Sequence, residues 1–174
     1  MQKGTVRGEN VADKTEKTNS MRLLESKKVP YSVHRYSAER LSAEEVAALV
    51  DKPPEQVFKT LVVVPPRGKA LLAIVPANHE LDLKKLAQAA GEKKVQMATQ
   101  KEAESLTGLQ VGGISALALT HKGFRVFLDA SARSQQTILV SAGQRGIQLE
   151  LGPDDLARVT NAQVADIARP VGEE

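Results

Sequence analysis

The run Val57 to Val64, VFKTLVVV, most narrows what this chain can fold into. Side chains branched at Cβ crowd a helix and suit a pleated strand. Pro65-Pro66-Arg67-Gly68-Lys69 then breaks the run, and a second apolar stretch follows from Ala70 to Val75. Two such stretches joined by a Pro/Gly turn predict a β-hairpin.

The flanking sequence carries further helix and strand signals. Ser20 is expected to cap a short helix running to Lys28, with Leu23 and Leu24 inward and Val29-Pro30 as the stop. Tyr31 to Tyr36 alternates as a strand. Ser42 with Glu45 three residues on forms a capping box for a helix facing inward through Val46, Ala47, Leu49 and Val50, ended by Pro53-Pro54. Asp82 caps a helix whose Leu83, Leu86, Ala87 and Ala90 share one face, and Gly91 sits where a terminating glycine belongs. Thr99 and Glu102 open another helix, which stops at Gly108. The last third offers short strands at Leu117–Thr120, Arg125–Asp129, Thr137–Ser141 and Ile147–Leu151, a helical turn opened by Gly152-Pro153-Asp154-Asp155, and an edge strand over Val164–Ala168. Helices early and strands late predict a single α+β domain over residues 20–170 around one mixed sheet. Residues 1–19 are polar and aperiodic, and are expected to be a disordered N-terminal extension.

Several kinds of chemistry drop out at once. Cysteine is absent, which removes disulfides, thiolate nucleophiles and thiolate metal sites. His34, His79 and His121 lack metal-ligand spacing, so neither a metal nor a cofactor is expected. His34 reads as a hydrogen-bonded structural residue, and the other two as solvated. There is no apolar run long enough to span a bilayer and no secretory h-region, which predicts a cytoplasmic protein without membrane contact. Aromatics are 3% of the chain, too few for a stacking platform that reads bases.

Net charge is only +3, yet residues 84–148 carry nine basic against four acidic groups, a net +5, while residues 149–174 are net −4. The central third is where a polyanion would be drawn. Lys93, Lys94 and Lys122 are its candidate nucleic-acid contacts; solvated lysine-rich helix faces are the other reading.

Three places can carry a site. Lys59 sits within VFKTLVVV on the strand face of Val57, Leu61 and Val63, with Thr60 on the opposite face. A lysine there either snorkels to an edge or is held beside a polar ligand with a depressed pKa. Val111-Gly112-Gly113-Ile114-Ser115 lets backbone N–H groups approach a carbonyl oxygen or phosphate, or else is a turn requiring positive φ. Val140 to Gly146 is a second small-residue loop with Ser141 as its lone hydroxyl. There is no P-loop, nucleophile elbow or HExxH.

In order, the segments VPYSVHRY, QVFKTLVVV, LDLKKLAQAAGEKKVQMA, ESLTGLQVGGIS, ILVSAGQRGIQLEL and DLARV…ADIAR resemble the YbaK/EbsC family of aminoacyl-tRNA deacylases, related to the editing domain of bacterial prolyl-tRNA synthetases. The resemblance covers about Ser20 to Arg169. It implies a curled, barrel-like mixed sheet surrounded by helices. It implies an enzyme that removes a mischarged amino acid, cysteine from Cys-tRNA(Pro) foremost, with alanyl-tRNA hydrolysis or a non-catalytic tRNA- or synthetase-binding module as alternatives. The partners it implies are tRNA(Pro) and prolyl-tRNA synthetase.

By the same resemblance the essential lysine is Lys59, the pocket tyrosine is Tyr36, and Thr60, Gly112, Gly113, Ile114, Ser115 and Ser141 contact the substrate. Relatives usually read GGISPLG where this chain has Ala116 and Ala118, near relatives carry an acidic residue at Gln148, and the stretch from Tyr36 to Lys59 is shorter here.

Overall fold

In the computed structural model, which describes residues 17–172, the hairpin lies at the middle of a five-stranded sheet. β1 covers Ser32–Arg35, β2 Phe58–Val64, β3 Leu71–Pro76, β4 His79–Leu81 and β5 Gln96–Met97. β6 covers Arg125–Asp129, β7 Ile138–Ser141, β8 Ile147–Leu151, β9 Gln163–Ala165 and β10 Ala168–Pro170. The large sheet runs β5-β2-β3-β6-β9, with β2 and β3 antiparallel and β6 and β9 joining in parallel. A second sheet runs β1-β8-β7, and β4 pairs with β10. The single mixed sheet expected from sequence is thus divided into three.

β3 is buried along its whole length, because its alternating side chains feed two cores. Leu72 and Ile74 face a large cluster with Leu24, Val33, Leu128 and Leu149. Leu71, Ala73 and Val75 face Leu86 and Ala87 of the helix Leu83–Ala90, here α3. The other helices are α1 (Asn19–Ser26), α2 (Ala43–Leu49), α4 (Gln100–Thr107) and α5 (Pro153–Thr160). Both predicted capping boxes form, and Gly91 and Gly108 end their helices in the left-handed region.

Several expectations change. The first helix is capped by Thr18, not Ser20; the Ser20 hydroxyl is buried and donates to the carbonyl of Ala142. Residues 1–16 of the expected extension lie outside the described residues; of its last three, Lys17 pairs with Glu25, Thr18 is the cap and Asn19 opens α1. Leu49 is 56% exposed rather than inward. Leu117–Lys122 is a 3-10 stretch and not a strand, because the buried Ser115 Oγ accepts from the amides of Leu117 and Ala118 and tightens the turn. Val164–Ala168 splits between β9 and β10. The buried Asp129 carboxylate accepts from the amides of Ile167 and Ala168 and draws the chain across to β4.

The curled sheet does not close into a barrel. β3 holds one edge of β2. The other edge is met by β7 through the bridge Val57–Leu139 and by β5 only at Val63 and Val64. Between those contacts, residues 59–61 are paired with no strand on that edge among the described residues. The gap is where the cavity lies.

Candidate active site

The cavity has a volume of about 340 Å³. One wall is β2 from Phe58 to Val62; the facing wall is Ser141 of β7 and Gln148 of β8. Val111, Gly112 and Ile114 close one side, and Leu41, Ala43 and Val46 another. Met97 to Gln100 and Ala103 line the end nearest β5. A mostly apolar cleft with a few convergent polar groups is the usual form of a small-ligand site.

Two cations line it, the exposed Arg40 and the more enclosed Lys59. Lys59 is half-buried, and its Nζ donates to the carbonyl of Ala77 at 3.3 Å. Among the described residues it forms no salt bridge. Burial pushes its pKa below the ordinary lysine range, an effect the more distant Glu44 and Glu80 oppose. The ammonium therefore has donors left over for a ligand. Thr60, half-buried, lines the wall beside it.

Ser141 and Gln148 are partners in the β7–β8 register, so both reach the cavity from the same place. Ser141 Oγ accepts from the amide of Gly143 at 3.1 Å, leaving its own hydroxyl proton to give. Gln148 is 5% exposed, its Nε2 donates to the Tyr36 hydroxyl at 3.2 Å, and its Oε1 is buried without a partner. An orphaned buried carbonyl oxygen is costly and asks for a donor. Tyr36 itself stands behind Gln148 and does not line the cavity.

The two glycines of the VGGIS segment do different things. Gly112 has φ +98 and lines the cavity. Gly113 is a packing position: a Cβ there would lie 2.8 Å from the backbone of Gln144 in the second loop. Its amide donates to Gln110 at 2.8 Å, and that of Val111 to Glu104 Oε2. The amides of Gly112 and Ile114 make no hydrogen bond among the described residues. Ser115 lies behind the loop with its hydroxyl engaged in the 3-10 turn.

Of the sequence-predicted residues, the fold brings Lys59, Thr60, Gly112, Ile114 and Ser141 to one cavity. It places Tyr36, Gly113 and Ser115 in its support, and leaves Lys93, Lys94 and Lys122 exposed outside it. Arg40, Met97 and Gln100 were not expected in the lining, and Gln148, noted only as a departure from relatives, proves to be a polar wall group. The signal for Gln148 was its place in Ile147–Leu151, where two polar residues alternate with three apolar ones on a buried strand. His34 meets Glu150 at 2.8 Å, in keeping with a structural role. Among the described residues no group of three His, Asp or Glu side chains is placed to hold a metal, and no helix is long and apolar enough to cross a membrane.

Residues 38–159 match the aminoacyl-tRNA editing domain family. The chain is 44% identical over 154 residues to EbsC of Enterococcus faecalis, named as a candidate Cys-tRNA(Pro)/Cys-tRNA(Cys) deacylase, covering 87% of this chain and 93% of that one. It is 30% identical over 116 residues to the proline–tRNA ligase of Pelobacter propionicus, covering 65% of this chain but only 20% of the ligase. Among solved structures, one described as a candidate trans-editing enzyme for prolyl-tRNA synthetase superposes with a TM-score of 0.70 at 25% identity, covering 97% of this chain and 99% of that one. A hypothetical protein superposes with a TM-score of 0.80 at 24% identity, covering 87% and 99% of the two chains, and shares the fold. The editing-domain match, the near-complete overlap with EbsC and the cavity at the gap in the sheet place this chain in the aminoacyl-tRNA editing domain family, in its YbaK/EbsC group.

Proposed function

We propose that this protein is a trans-editing deacylase that clears cysteine from Cys-tRNA(Pro), with the thiol of the substrate as nucleophile. One observation carries the reading. The cavity is lined by a desolvated lysine and, among the described residues, by no Asp, Glu, His or Cys, so it lacks a carboxylate or imidazole base, a thiolate and a hydroxyl paired with either. Chemistry in such a site has to come from the substrate or from water, with the protein orienting the ester and stabilising charge.

In this mechanism the cysteine sulfur attacks its own ester carbonyl carbon. The C–S bond forms and the C–O bond to the ribose breaks. The thiol proton ends on the ribose oxygen, giving free tRNA and a cyclic thiolactone. The unbonded amides of Gly112 and Ile114 are the donors for the developing oxyanion, a narrower assignment than the whole VGGIS loop, since the Gly113 amide is already engaged. Lys59 holds the carbonyl or the terminal ribose in attack geometry. Ser141 and the Gln148 Oε1 fix the aminoacyl group, and Tyr36 holds Gln148 in place.

The test is deacylation of Cys-, Ala- and Pro-tRNA(Pro) by purified protein under multiple turnover, with S-methylcysteinyl-tRNA as the blocked control. Clearance of Cys-tRNA but not of its S-methyl form is the expected result. Equal clearance of the blocked form, or a preference for Ala-tRNA, replaces the thiol by water and makes the enzyme a hydrolase. Binding without turnover of any substrate makes it a recognition module.

A further inference from the structure

We infer that the end of the large sheet where β2 turns into β3 is one phosphate-binding surface for the acceptor end of tRNA, and that β5 leads the single-stranded 3′ end from it into the cavity. The inference rests on the deacylase reading above.

Three stretches far apart in sequence meet at that end. Arg67 and Lys69 are in the β2–β3 turn. β6 runs parallel to β3 with Arg125 opposite Leu71, which sets Lys122 beside the turn; Lys69 Nζ donates to the Lys122 carbonyl at 2.5 Å. The end of α3 lies there too, because the Arg125 guanidinium donates to the Ala90 carbonyl at 2.8 Å. Lys93 and Lys94 follow that helix and run into β5, whose Gln96 is opposite Val64. All six cations are exposed. The one acidic residue on these stretches is Glu92, 3.6 Å from Arg125. Crowded like charges repel one another, and a polyanion relieves that repulsion.

Other cations of the basic central segment have different uses. Lys85 pairs with Asp166 at 3.2 Å, and Arg145 Nε donates to the Val111 carbonyl. The surface is thus narrower than the sequence charge suggests, and it gains Arg67 and Lys69 from outside that segment. A protein partner would want an apolar centre to its contact. Of the exposed large hydrophobics, Leu49, Leu106 and Val171 lie on other stretches, and only Met97 adjoins the cations. Met97 is 42% exposed and lines the cavity, which makes it an apolar step for a base between the two. From Val64 to Lys59 is about 17 Å along the strand, within the reach of a short unpaired 3′ end.

The experiment compares wild type with the double variant Arg67→Glu/Lys69→Glu on two substrates, full aminoacyl-tRNA and the matching 3′-aminoacyl-adenosine, over a range of salt. For tRNA, KM should rise about tenfold or more, and the slope of log(kcat/KM) against log[salt] should shrink by roughly 1.5–2, from two lost phosphate contacts. Cleavage of aminoacyl-adenosine, which has no phosphate backbone, should stay at the wild-type rate. Lys84→Glu, in the first turn of α3, should leave the salt slope alone. If wild type cleaves neither ester, the deacylase reading fails and takes this inference with it. If wild type clears tRNA and the double variant matches it in KM and slope, the surface alone is wrong. A defect seen only when prolyl-tRNA synthetase is present would make this end a protein interface and overturn the inference.

Discussion

Lys59 and Glu150 are both charged groups held partly out of water near the gap in the sheet, and the fold treats them oppositely. Glu150, on the same face of β8 as Gln148, is surrounded by partners. It meets His34 Nε2 at 2.8 Å, accepts from the Thr137 hydroxyl at 2.6 Å, and has Lys52 at 3.7 Å. The hydrogen bond from His34, above all, holds its pKa down at about 2. Lys59 has a single 3.3 Å bond to a carbonyl, and burial pulls it toward its neutral form. A charge that pins structure is satisfied within the protein. A charge kept short of partners beside a cavity is free to serve a ligand.

The largest expected effect separates the two at Lys59. Lys59→Met fills the same volume, so the fold should persist with unchanged or slightly raised stability. Single-turnover deacylation should slow about 30- to 1000-fold, the loss of roughly 2–4 kcal/mol of transition-state stabilisation. A folded methionine variant working at the wild-type rate would make Lys59 as structural as Glu150. Lys59→Arg should also be poor, since a planar fork does not replace a compact ammonium. Because burial lowers the Lys59 pKa, the wild-type rate should fall with rising pH earlier than an exposed lysine would allow.

Glu150→Gln tests the other side. Its folded-state pKa lies below the ordinary 4.5, so its contribution is complete above that value and lost as pH drops toward about 2. The variant should lose about 2–3 kcal/mol at neutral pH and show a flatter acid limb in urea melts from pH 5 to 2, with near-normal deacylation. A large rate loss at full stability would break the contrast.

Gln148→Met sharpens it, since Gln148 belongs partly to both groups. Removing the orphaned acceptor should offset the lost bond to Tyr36 and leave stability nearly unchanged, while KM rises about 5- to 10-fold for a lost substrate hydrogen bond of roughly 1 kcal/mol. An unaltered KM would show that the substrate does not use Oε1. The smallest effect is Thr137→Val, which removes one of the Glu150 bonds. It should cost about 1 kcal/mol in a denaturant midpoint and nothing in rate.

Much of this was legible in the residues. The hairpin followed from a β-branched run and its Pro/Gly turn, and four helix ends from Ser42/Glu45, Thr99/Glu102 and Asp82 with Gly91, because caps and periodicity act within a few residues. Lys59 stood out because a charge on an apolar strand is expensive wherever the strand goes. The 3-10 stretch at Leu117 was not legible: alternating Leu and Ala fit a strand, and the Ser115 hydroxyl decided otherwise.

The sequence alone determined which segments are strands and helices over most of the chain, which residues could carry charge into a core, and that no thiol chemistry belongs to the protein itself. Tertiary structure decided where those segments fail to meet. The gap on β2, the division of work between Gly112 and Gly113, the orphaned oxygen of Gln148 and the gathering of Arg67 and Lys69 with Lys93, Lys94 and Lys122 all come from pairings between residues tens of positions apart. Local propensity has no range over such distances; register and the burial of two separate cores set them.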